Sequence, residues 1–344
     1  MICRSPRMFR RCAAALLLFI PVQLSATAVS ADERPGKTQP PATAKSPQPT
    51  PDTADPQQPP RKPLTPLPEL LQKELAGKTA LNPEGTVFLD SAGRRLLLRT
   101  EVACPDCILE MALVPEGNRE HETILRIRSK AFVIHAGLLA LGMQPGKPAT
   151  FSPEFTAPSG PVISVTAVWL DDEGRRQERP LQEWIRNNTH RYHAAAMSGP
   201  PPGLELPYKA LRWDKFNKEI LWYGPMSDED RDDLLSKWDH EPYQKAIRQF
   251  HEAGRSKPMQ AEFVFAGSSM FRDEETGREY YQAEGGHLIC TSNFPDALLD
   301  IREQSSAADG AQNYEGWTER IPAEGTPVIL VLKAAEAAKP AAAK

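Results

Sequence analysis

The sequence predicts an α+β fold that is β-rich, with mostly antiparallel strands around one buried helix and a helical insertion. Three observations predict it: short segments in which apolar and polar residues alternate, one apolar helical run at 131–141, and a tryptophan-containing stretch at 187–258 with helix caps in place of strand alternation. Proline accounts for 34 of the 344 residues, about twice the usual ~5%, while the charged and apolar fractions are ordinary. A globular body must therefore share the chain with a proline-loaded segment.

The chain opens on Arg4, Arg7, Arg10 and Arg11 with no acid among them, followed by an apolar run from Ala13 to Ile20. This is the n- and h-region of a signal peptide, and the small residues Val29-Ser30-Ala31 place the expected cut after Ala31. The run is shorter than the ~20 residues that span a bilayer. Cleavage would take the net charge from -4 to -8 and remove Cys3 and Cys12. From Asp32 to Pro68 there are 12 prolines and no large apolar residue before Leu64, so residues 32–68 are expected to be a disordered tether. The Ala/Lys-rich residues 334–344 are expected to fray.

The body, 80–333, follows a short helix at Pro68–Leu75. Val87 and Leu89 lead into a turn at Asp90-Ser91-Ala92-Gly93, and Leu96 and Leu98 complete a hairpin. Leu109, Met111 and Leu113 alternate on one side of Pro115-Glu116-Gly117-Asn118, and Leu125 and Ile127 on the other, as a second strand pair. Ser129 is a candidate cap for the helix Ala131–Leu141, which Gly142 stops. Its residues are apolar nearly all round, which predicts full burial. Ile163, Val165, Ala167 and Trp169 share one strand face, and later strands fall at 262–265, 280–284, 287–291 and 328–332, in a sandwich-like arrangement. In the insertion, 187–258, Ser227 caps a helix with acids in its first turn, and Pro242 opens a second helix carrying Tyr243, Ile247 and Phe250.

Several runs carry a family likeness. Ile108-Leu109-Glu110-Met111, Arg119-Glu120-His121-Glu122, the helix segment Ala136–Gly142, Val264-Phe265-Ala266-Gly267-Ser268, Ile289 through Pro295, Thr318 through Pro322 and Gly325-Thr326-Pro327-Val328 together resemble the exported bacterial YdjY-domain family, over about Thr86–Trp184 and Ala261–Lys333. The resemblance implies a fold and no settled activity. Some relatives carry ferredoxin-like cysteine runs. The three cysteines left after cleavage cannot supply the four thiolates of such a cluster, so the sequence names no cofactor.

The sharpest chemical spacing is Cys104-Pro105-Asp106-Cys107, which suits a disulfide, a redox pair or half a zinc site. The Cys104/Cys107 pair is expected as a structural disulfide, since Pro115 lies too close behind for a thioredoxin-type helix. Glu120-His121-Glu122 sets an imidazole between carboxylates, and His135 with Glu110 completes a candidate metal set if the three converge. Otherwise His135 is a core histidine with satisfied nitrogens. His190 and His193, spaced H-x-x-H, are a weaker signal, and Asn293 before Phe294-Pro295 reads as a helix cap, with Asp296 and Asp300 on one face of that helix.

The near-balanced charge, with no polybasic stripe, gives no reason for a nucleic-acid partner, and the mature chain has no membrane span. The expected role is a non-enzymatic envelope module that binds an unidentified envelope or extracellular partner. The alternative is a metal or thiol-redox protein built on the CPDC motif and His121/His135.

Overall fold

Eight strands hydrogen-bond into a closed ring. The computed structural model describes residues 63–307 and 312–335, so the signal-peptide assignment and nearly all of the tether and tail assignments fall outside the described residues. The ring strands are β1 (Arg95–Val102), β2 (Met111–Pro115), β3 (Thr123–Ile127), β4 (Val162–Leu170), β5 (Phe263–Phe265), β6 (Ile289–Cys290), β7 (Leu299–Ile301) and β8 (Pro327–Ala334). Around the ring they run β1, β8, β4, β5, β7, β6, β2, β3, and Glu101 and Val102 of β1 pair with Arg126 and Leu125 of β3 to close it. Closure replaces the expected sandwich. It leaves no ring strand as a free edge.

Most pairings are antiparallel, as expected. Two are parallel, β6 with β7 and β2 with β3. The β2–β3 pair was expected as neighbours, but parallel strands need the chain to return to its starting end, usually by a dozen or more residues. Here residues 116–122 make that return, ending in a 3-10 turn at Glu120–Glu122.

Alternation explains the ring. Leu96 and Leu98 point into the main core with Phe263, Phe265 and Leu330. Leu97 points out with Val168, Ile329 and Val331, beneath the helix α1 (Glu69–Leu75) and its Leu71. Both faces of β1 are thus covered, which is why Leu96-Leu97-Leu98 is a continuous apolar run.

The helix α2 (Ala131–Ala140) lends Ala131, Ile134 and Leu138 to the main core. Gly137 lets it come close, since a Cβ there would lie 2.4 Å from Leu96. The helix ends in a Schellman motif, with Gly142 at φ 83 and Met143 N–H on Leu138 O at 3.2 Å. Full burial is corrected: Phe132 is 58% exposed and Leu139 41%. The expected Ser129 cap is also absent. Glu284, from a distant loop, accepts from Ala131 N at 2.9 Å and Phe132 N at 3.0 Å, placing a carboxylate on the positive end of the helix. The helices expected at 68–75 and within the insertion are present as well, so α2 is one of four α-helices among the described residues.

The insertion is not purely helical. Strands Tyr192–Ala196, Leu211–Asp214 and Glu219–Tyr223 form a three-stranded antiparallel sheet with the last in the middle. Two helices follow, α3 (Asp228–Lys237) and α4 (Glu241–Ala253). Ser227 Oγ caps α3 by accepting from Asp230 N at 3.0 Å, as its sequence predicts. Trp222, Tyr243, Ile247 and Phe250 belong to a second core, separate from the barrel's. A clasp joins the two chain segments at the base: Asn187 N donates to Lys257 O at 3.0 Å, Lys257 N to Asn187 Oδ1 at 2.6 Å and Met259 N to Ile185 O at 2.9 Å.

Candidate functional site

The return loop 116–122 and the loop before β7 build the densest charged network. Arg119 sits in the left-handed region at φ 48, an uncommon conformation for a residue with a side chain. From there its guanidinium donates to the carboxylate of Glu110, to Glu122 Oε2 at 3.0 Å and to His287 Nε2 at 3.1 Å. Arginine can only donate, so Nε2 of His287 accepts and its ring proton sits on Nδ1. Asp296 Oδ1 lies 2.9 Å from that Nδ1 without hydrogen-bond alignment. The imidazole stacks on Phe294 with ring centroids 4.0 Å apart. Burial pushes the Glu110 carboxyl up, while the Arg119 charge pulls it down.

Behind this network lies Asp300. It is fully buried, and burial pushes its carboxyl up to about 7 against hydrogen bonds from Ile301 N, Asn293 Nδ2 and Phe294 N. Asn293 is a hub and not a helix cap: it donates to Asp300 Oδ1 at 3.1 Å and Ile301 O at 2.8 Å, and accepts from Ser305 N at 2.8 Å. No helix follows it. Asp300 lies in β7, so the expected helical pairing with Asp296 is corrected. Cys290, the free thiol among the described residues, is buried nearby on the ring's outer face with Met111 and Phe294, and burial pushes its pKa up.

The remaining sequence candidates part company. The His121 side chain is 78% exposed, with Nε2 3.5 Å from Glu122 Oε1. Glu120 accepts from Arg126 Nη1 at 2.8 Å and Gly117 N at 2.6 Å. His135 Nδ1 is 2.7 Å from Tyr281 Oη, whose hydroxyl donates to Gly267 O at 2.9 Å, and burial lowers the His135 pKa. The ring is half-buried, and its hydrogen-bond partner is a side-chain hydroxyl. Among the described residues, the group of three ligand-type side chains with atoms within 4.8 Å of one another is Cys104, Asp106 and Cys107; Glu110, His121 and His135 form no such group. Cys104 and Cys107 are joined as a disulfide with Cα atoms 5.8 Å apart.

A cleft of about 630 Å³ opens where the insertion meets the barrel. Its walls come from Arg191 to Ala194, from α4 at Gln249, Phe250 and Ala253, and from the clasp at Asn187, Asn188 and 257–260. Tyr314 and Glu303 lie on the barrel side and hydrogen-bond to each other. Beneath them Glu315 is buried and accepts from Arg186 Nε at 2.7 Å, Thr189 Oγ1 at 2.8 Å and His190 Nδ1 at 2.8 Å, which holds the clasp rigid. His190 is thus held by Glu315, and among the described residues the H-x-x-H pair belongs to no group of three ligand-type side chains. His193 is buried against Phe250 with no partner for Nε2, and burial, then the Arg191 charge, lowers its pKa. Arg191 is exposed on the wall and makes no ion pair among the described residues. Lys257 Nζ, at the rim, holds Glu252 at 2.7 Å. The only sequence signal near this cleft is the H-x-x-H spacing. Arg191, Lys257 and Tyr314 come from segments that only the folded chain brings together.

The family model for the YdjY domain matches residues 87–198 and 234–333, so α4 and the first insertion strand fall inside the matched region and residues 199–233 outside it. No curated protein and no solved structure matches the chain. With more than half its length matched, the chain belongs to the YdjY-domain family.

Proposed function

We propose that the chain is a non-enzymatic binding module of the bacterial envelope that seats a small acidic ligand in the cleft between insertion and barrel. Arg191 carries this reading: a guanidinium on the wall of a cavity of about 630 Å³, with no carboxylate partner among the described residues. That volume falls within the ~300–1,000 Å³ of small-molecule sites, which favour junctions between packed units. A carboxylate or phosphate would give Arg191 the two-pronged hydrogen bond its planar group is built to make. The Arg119 network supports a structural role for the other charged locus, because its donors are directed at its own neighbours. The arginine-led apolar start and the proline-rich 32–68 suit delivery across a membrane on a tether. Among the described residues no helix is long and apolar enough to cross a membrane.

Calorimetry on the full chain tests this, with glucuronate, inorganic phosphate and glucose as probes. At least one of the two anions should bind and glucose should not. Losing a hydrogen bond to a charged group costs about 1.5–3 kcal/mol, so Arg191→Ala should weaken binding roughly tenfold or more. Neither anion binding, or equal binding by Arg191→Ala, refutes the assignment.

A further inference from the structure

We infer that Cys104, Asp106 and Cys107 form a site for a thiophilic divalent cation of the zinc or cadmium class, opened only when the Cys104–Cys107 disulfide is reduced. All three side chains come from one turn between β1 and the strand Ile108–Leu109, and their ligand atoms lie within 4.8 Å of one another. Asp106 Oδ1 stands 3.5 Å from Cys104 Sγ. Around a tetrahedral zinc ion, with Zn–S about 2.3 Å and Zn–O about 2.1 Å, the S···O edge is about 3.6 Å and the S···S edge about 3.8 Å. The carboxylate is therefore already at ligand spacing from the Cys104 sulfur, with the Cys107 sulfur within 4.8 Å, and the two sulfurs must part to admit an ion.

Backbone hydrogen bonds besides the disulfide hold both ends of the turn. Ala103 N donates to Ile124 O at 2.8 Å and Gly316 N to Cys107 O at 2.8 Å. Gly316 lies so close beneath that a Cβ there would be 2.7 Å from Pro105 O. Asp106 is exposed and pairs with no basic side chain among the described residues, so its charge is available to a cation. Cys104 is half-buried, which leaves a sulfur open to attack. Two thiolates select zinc or cadmium over magnesium or calcium, and three protein ligands leave a fourth position for water.

The chemistry balances with a dithiol as reductant. One reductant thiolate attacks a sulfur of the disulfide to form a mixed disulfide, and the second reductant thiol displaces it. Two electrons and two protons pass to Cys104 and Cys107, and the reductant leaves as a disulfide. Cation binding then expels the two thiol protons to solvent, giving a site of net charge -1 from one dication, two thiolates and one carboxylate.

The test titrates the full chain anaerobically with Co²⁺ and then Zn²⁺, before and after reduction by a phosphine that is removed first. The reduced chain should bind one ion, with thiolate-to-cobalt absorption that zinc abolishes, and the oxidised chain none. Asp106→Asn, an exposed change that circular dichroism can check for folding, should bind at least about tenfold more weakly, the scale of losing an orienting group at a metal site. Cys104→Ser should lose the absorption. Equal binding before and after reduction, no stoichiometric binding after it, loss of fold on reduction, or unchanged affinity in Asp106→Asn each overturns the site.

Discussion

The barrel and the insertion bury their apolar surface by different means. The barrel joins its first and last strands and fills the interior with aliphatic side chains around Phe263 and Phe265. Among the described residues the insertion leaves both outer strands of its sheet unpaired along one edge, and its core is weighted toward Trp222, Tyr243, Phe250 and the methionines Met197 and Met226. A small unit has less interior for its surface, and a few large rings give it the contact area that many aliphatic positions give the ring of strands. The difference teaches that each unit is packed for itself. The cleft lies where the two cores stop short of each other.

The strongest way to break that comparison is to weaken one core and watch the other. Phe263→Ala and Phe250→Ala should each cost about 3–5 kcal/mol, the first in the barrel and the second in the insertion. Hydrogen exchange resolved by mass spectrometry should show Phe250→Ala removing protection from residues 192–253 while β1, β4 and β8 keep theirs. Simultaneous loss in both regions would mean one cooperative unit. An effect of similar size sharpens the comparison through pH. Asp300 carries a carboxyl pushed up to about 7 by burial, against about 3.9 when unfolded. The unfolded chain releases that proton first, so the stabilisation is full below pH ~4 and is lost as pH rises through ~7, on the order of 4 kcal/mol. Asp300→Asn should flatten this slope in denaturant titrations of the barrel and leave insertion protection unchanged. Persistence of the slope would assign it to another group. The smallest effect concerns α2: Glu284→Ala should cost about 1 kcal/mol, seen as earlier exchange at Ala131 and Phe132, because their N–H groups lose their acceptor.

Much of the fold was legible because its signals are local. The hairpin at Val87–Asp90 and Arg95–Leu98, the glycine stop of α2, the Ser227 cap of α3 and the Pro242 start of α4 each need only neighbouring residues. Ring closure rests on Glu101 and Val102 meeting Arg126 and Leu125, a contact that periodicity does not encode. The insertion strands were missed because Tyr192–Ala196 is mostly alanine and because the turn before Glu219 has no glycine. Asp214 Oδ1 instead accepts from Phe216 N at 2.8 Å and Asn217 N at 3.1 Å, and Lys218 takes φ 54. The triplet at 120–122 lies in a loop whose hydrogen bonds converge on its neighbour Arg119. Arg119 organises it, with His287 arriving from 168 positions away.

The clasp between Asn187 and Lys257 bears on how the chain finds its fold. Strand β5 must meet β4 across everything between Ile163 and Phe263. Closure entropy grows as (3/2)RT ln n, so an insertion that condenses first and ties its own base takes about two-thirds of that loop out of the search. The saving is about 1 kcal/mol, or roughly a fivefold faster encounter of the two strands. Refolding of Phe250→Ala, followed by stopped-flow fluorescence, should slow by about that factor. An unchanged rate would place barrel closure ahead of the insertion in time.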